Sequence, residues 1–98
     1  MHIINAAPNL RMDGLRMISS AQIRAARALL GIDQRKLAEL SGLSVPTIQR
    51  MEASEEMVRG NVDSLMKLIG ALNAAGIELI GPGAASVAGG GRGVRFKE

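Results

Sequence analysis

Four side chains between residues 34 and 50 could do chemistry together: Gln34, Arg35, Gln49 and Arg50. A planar guanidinium can form paired hydrogen bonds to a phosphate or to a guanine edge, and a carboxamide can do the same with adenine. Val45 and Thr47 add methyl groups that can meet the methyl of thymine. Other chemistry is thinly supplied. There is no Cys, the one His is His2, and no acid pair or Ser/His/Asp set suggests a catalytic centre. A non-enzyme without metal or cofactor is therefore expected. The run "GPGAASVAGGGRG", residues 81–93, lacks the G-K-[ST] ending of a phosphate loop and opens no helix. It reads as the flexible tip of a hairpin.

The elements that must position these groups are short helices. "SSAQIRAARALLG" reads as a first helix capped by Ser19 or Ser20 and ended by Gly31, with Ile23, Ala26, Leu29 and Leu30 on its inner face and Arg24 on its outer one. "DQRKLAELSG" reads as a second, capped by Asp33, with Leu37 and Leu40 inward, Ala38 small enough for a close crossing, and Gly42 in the turn. Leu43 plugs the turn. "SVPTIQRMEA" reads as a third. Pro46 is tolerated only in a first turn, so Ser44 is the cap and should accept from the Thr47 N–H. Ile48 and Met51 then face the core. After a loop over 53–60, "NVDSLMKLIGALNAAG" reads as a fourth helix from an Asn61 cap to Gly76, burying Leu65, Leu68, Ile69 and Leu72. "IELI", 77–80, and "VRFK", 94–97, alternate like the strands of a hairpin.

This is the pattern of one small, mostly α domain: a compact bundle of four or five helices containing a helix-turn-helix, plus a small C-terminal β-hairpin. Residues 1–18 read as a loosely ordered N-terminal extension or a segment that packs on a partner subunit, 19–76 as the helical domain, and 77–98 as the hairpin. Charge agrees with a polyanion partner. Residues 1–50 hold seven Lys/Arg against three Asp/Glu, and residues 51–98 five against six, so the net +3 arises as +4 and −1. No uncharged apolar run reaches the ~20 residues of a membrane span, and Arg11, Asp13 and Arg16 stand where a signal peptide needs an apolar stretch. A cytoplasmic protein with no membrane partner is expected.

Residues 22–52, "QIRAARALLGIDQRKLAELSGLSVPTIQRME", resemble the phage-repressor (Xre/Cro-type) helix-turn-helix family through "Q..LA..SGLS...I..ME". The resemblance implies a repressor-like bundle that binds double-stranded DNA as a homodimer, with the third helix in the major groove. It implies that Gln34 touches the DNA backbone and that Val45, Pro46, Gln49 and Arg50 face the bases. With Arg35 as a candidate phosphate contact, and Ser44 and Thr47 at the helix start, these form the expected DNA-binding set; for Arg35 and Lys36 the plainer role of solvated surface charge competes. An Arg27–Glu52 ion pair is expected inside the bundle. One position departs: Ser54 stands where the family often has Gly, which leaves open the loop path and any phosphate contact by Arg59. A sequence-specific repressor is the favoured function. The rivals are an antitoxin that binds a toxin and represses its own operon, and an interaction module that has lost DNA binding. The hairpin edges suit pairing with a second copy, which would bury Ile77, Leu79, Val94 and Phe96; the competing arrangement folds the hairpin onto its own fourth helix.

Overall fold

A computed structural model describes residues 18–55, 57, 58, 60–81 and 91–97. The expectations for residues 1–17, for Arg59 and for the glycine-rich tip over 82–90 lie outside the described residues.

Four helices and two strands follow one another: α1 (Ser20–Leu30), α2 (Gln34–Ser41), α3 (Val45–Glu52), α4 (Val62–Ala74), β1 (Ile77–Ile80) and β2 (Gly93–Phe96). Local chemistry sets each helix start. Ser19, Asp33, Ser44 and Asn61 are extended caps whose side chains accept from the N–H groups of Gln22, Lys36, Thr47 and Ser64. Pro46 sits in the first turn of α3, where it has no intrahelical N–H to lose. The turns after α1 and α2 need left-handed backbone, with φ of 68° at Gly31 and 74° at Gly42. Gly42 and Leu43 both donate to the Ala38 carbonyl, at 2.9 and 3.1 Å, which closes the turn, and the small Ala38 side chain is buried.

Ile23, Leu37, Ile48, Leu65, Leu68 and Leu72 meet in one aliphatic core with almost no exposure. Two of its members come from irregular segments. Ile18, just ahead of α1, and Val58, in the loop after α3, are fully buried and joined by a hydrogen bond from the Val58 N–H to the Ile18 carbonyl at 3.0 Å. Two expected inward residues are not core. Leu29 is 41% and Leu40 46% exposed. Both lie on the edge of their apolar stripe, where helical period marks a face without fixing how much of it is covered.

The strands pair antiparallel, Ile77 with Phe96 and Leu79 with Val94. β2 begins one residue earlier than the expected 94–97, because Gly93 opposite Ile80 continues the ladder. The hairpin lies on its own bundle, against α1 and α4. Ile77 is buried, and Leu79 and Val94 pack against the core, so the protein's own helices already cover three of the four apolar residues expected to await a second copy. Phe96 remains 47% exposed. Gln22 latches the hairpin down: its Oε1 accepts from the Ser19 N–H in a capping box, while its Nε2 donates to the carbonyls of Ile80 and Gly93 at 3.1 and 2.9 Å.

Candidate nucleic-acid interface

α3 is only two turns long, and burial divides it cleanly. Ile48, Met51 and Glu52 point into the protein, while Pro46, Gln49 and Arg50 are exposed. The exposed three are spaced i, i+3, i+4, so they share one face. Val45 and Thr47 are less available than their places in the sequence suggest. Val45 is half-buried against the core, and the Thr47 hydroxyl is tied to the Ser44 hydroxyl at 2.8 Å. The first turn of α2 carries the residues expected to touch the DNA backbone. Arg35 is exposed there, and Lys36 is held loosely by Glu39 at 3.6 Å in an exposed pair worth little. Among the described residues nothing engages the guanidinium of Arg35 or Arg50 or the carboxamide of Gln49.

The inner end of α3 is anchored by Glu52. Its carboxylate takes a forked pair of bonds from Arg27, Nε to Oε2 at 2.6 Å and Nη2 to Oε1 at 2.9 Å. Gln34 adds a third, Nε2 to Oε1 at 3.1 Å. Arg27 also reaches the Ile32 carbonyl. The expected Arg27–Glu52 pair is thus present, with the carboxylate side chain 5% and the guanidinium side chain 23% exposed. Burial works to raise the Glu52 carboxyl, but the hydrogen bonds from Arg27 and Gln34 and the charges of Arg27 and Arg24 outweigh it, so the group sits below the ordinary carboxylate range. The hydrogen bond to Glu52 raises Arg27 further above its already high value.

Gln34 therefore has a role that sequence reasoning missed. It is half-buried and ties the start of α2 to the end of α3, which leaves one amide hydrogen and its oxygen for an outside partner. Arg24, on the outer face of its helix by spacing, also makes a contact across the bundle: its Nη1 donates to the Glu52 carbonyl. No local signal marks either contact. For Gln22 a signal did exist: Ser19 and Gln22 stand in the S-x-x-Q spacing of a capping box.

Among the described residues no cluster of His, Cys, Asp or Glu could hold a metal ion, and no helix is long and apolar enough to cross a membrane. A family model described as helix-turn-helix matches residues 23–74, just over half of the chain. A search of curated proteins finds no match.

Proposed function

The chain belongs to the Xre/Cro-like helix-turn-helix family of DNA-binding regulators, and on that premise we propose that it is a sequence-specific repressor acting as a homodimer, with α3 in the major groove. The observation that carries this reading is the division of α3. One face is locked into the core, and the other presents Pro46, Gln49 and Arg50, with the polar ends of Gln49 and Arg50 unengaged by described residues. Gln49 and Arg50 have the chemistry for adenine and guanine edges. Arg35, and the free amide hydrogen of Gln34, suit phosphates on the flank. Binding over a promoter suffices to repress and calls for no catalytic step.

The dimer part of the reading rests on Phe96. By register it shares the face of Ile77, Leu79 and Val94, yet it overhangs the bundle with nearly half its surface open. A second copy meeting the hairpin would cover it. Selection of bound sites from random double-stranded DNA tests both parts. The expected consensus is an inverted repeat with half-sites about one helical turn, or a multiple of it, apart. A lone asymmetric half-site would remove the dimer, and no enrichment at all would remove sequence reading by α3.

A further inference from the structure

The last four carbonyls of a helix have no partner inside it. In α3 each is taken up differently. The Gln49 carbonyl accepts from the Ala53 N–H, the Arg50 carbonyl from the Ser54 hydroxyl at 3.1 Å, and the Met51 carbonyl from the Ser54 N–H at 3.3 Å. These three donors lie just beyond the helix and move with it. The fourth donor does not. The Glu52 carbonyl accepts from Arg24, on α1. We propose that Arg24 is a positioning residue for DNA reading: by capping α3 from another helix it sets the angle at which Gln49 and Arg50 meet the bases. The proposal rests on the reading of α3 as the recognition helix.

Three observations support it. First, α3 is eight residues long and packs on the core mainly through Ile48 and Met51, so contacts at its ends add to that packing in fixing where it points. Second, Arg24 and Arg27 stand one turn apart on α1 and grip the same residue in two ways, Arg24 by the main chain and Arg27 by the side chain. The side-chain grip holds the Glu52 carboxylate, and the bond from Arg24 adds a direct hold on the main chain at the end of the helix. Third, a cation at a helix C-terminus is favoured by the helix dipole, and this one also acts on the Glu52 carboxylate. Ser54, standing where the family often has Gly, supplies two of the four caps, so the end of α3 is secured without a left-handed glycine.

Because Arg24 itself is exposed, its loss should leave the fold standing, and a direct phosphate contact is the rival role. The two roles give different binding data. The full chain with Arg24→Ala, Arg24→Lys and Arg50→Ala is compared with wild type on the best selected site, on single-base variants of it and on unrelated DNA, at several salt concentrations. Melting temperatures are measured alongside. For Arg24→Ala the expected result is a roughly tenfold loss on the best site with flattened discrimination among its variants, an unchanged affinity for unrelated DNA, an unchanged salt slope and a nearly unchanged melt. Arg24→Lys, which keeps the charge and one donor, should restore part of the discrimination. Equal weakening on every DNA with a salt slope lower by about one makes Arg24 a phosphate contact and overturns the proposal. Wild-type discrimination in Arg24→Ala overturns it too, and so does a specificity loss that follows the loss of fold in both variants. If wild type itself shows no preferred site, the reading of α3 fails first, which separates that outcome from the others.

Discussion

Replacing Arg27 by Met should destabilise the domain more than replacing Glu52 by Gln, and should reverse the pH dependence of the Glu52 contribution. Removing the guanidinium takes away two of the three side-chain bonds to a carboxylate that is 5% exposed, leaving it with Gln34 alone. Stranding a buried charge in this way costs about 3–5 kcal/mol, a large share of the ~5–15 kcal/mol that holds a domain together. Glu52→Gln strands Arg27 instead. That side chain is 23% exposed and so keeps access to water, and Gln keeps an oxygen to accept from it; about 1–3 kcal/mol is expected. Arg27→Met combined with Glu52→Met should recover much of the loss, since neither charge is left buried alone. The sign with pH follows from the causes. In wild type the folded-state carboxyl lies below its unfolded value, so its stabilisation is present above the unfolded pKa and is lost as pH falls through the folded one. Without Arg27 its hydrogen bond and charge are gone, and burial, the largest cause, is opposed only by Gln34 and Arg24. The folded pKa then lies above the unfolded value, and stability falls as pH rises through the carboxylate range. Urea melts of the full chain by far-UV circular dichroism, from acid to neutral pH, measure both effects. A wild-type midpoint in Arg27→Met, or the wild-type slope with pH, would refute the account of Glu52 as a buried anchor.

Further outcomes follow from the same geometry. Arg50→Ala should lose about 1–3 kcal/mol at one base pair of the selected site, whereas Arg35→Ala should weaken all sites alike and lower the salt slope by about one; binding to a panel of single-base variants at several salt concentrations decides, and uniform weakening by Arg50→Ala would move the reading face elsewhere. Phe96→Asp should shift the protein toward monomer in light scattering and cost the fold about 1 kcal/mol, since that side chain is 47% exposed and its covered part lies opposite Ile77; an unchanged dimer would place the interface off the hairpin. Gln22→Leu removes the donor to two carbonyls and half of a capping box, so about 1–3 kcal/mol should be lost, with early hydrogen exchange in the β1–β2 ladder; exchange at the wild-type rate would mean that core packing alone holds the hairpin.

What the sequence determined by itself is everything decided within a few residues. The caps at Ser19, Asp33, Ser44 and Asn61 bond an N–H three positions on, and the glycine turns at 31 and 42 follow from a backbone conformation that side chains resist. The helix-turn-helix was legible for that reason, since its spacing is a sum of such local rules, and the pairing of Arg27 with Glu52 was legible because helical period put both near the inner stripes. Tertiary structure decided the rest. Period alone marks an apolar stripe but not its width, so Leu29 and Leu40 were expected inside and lie largely outside. Ile18 and Val58 have no period to announce them, yet both are buried in the core and are joined by a main-chain hydrogen bond. The hairpin's seat on its own helices, the Gln22 latch across 58 and 71 residues, and the Arg24 cap across 28 join groups whose meeting depends on how whole helices cross. Those crossings are set by the packing of Ala38, Ile48 and their neighbours in three dimensions, and no spacing along the chain encodes which carbonyl will stand opposite a given guanidinium.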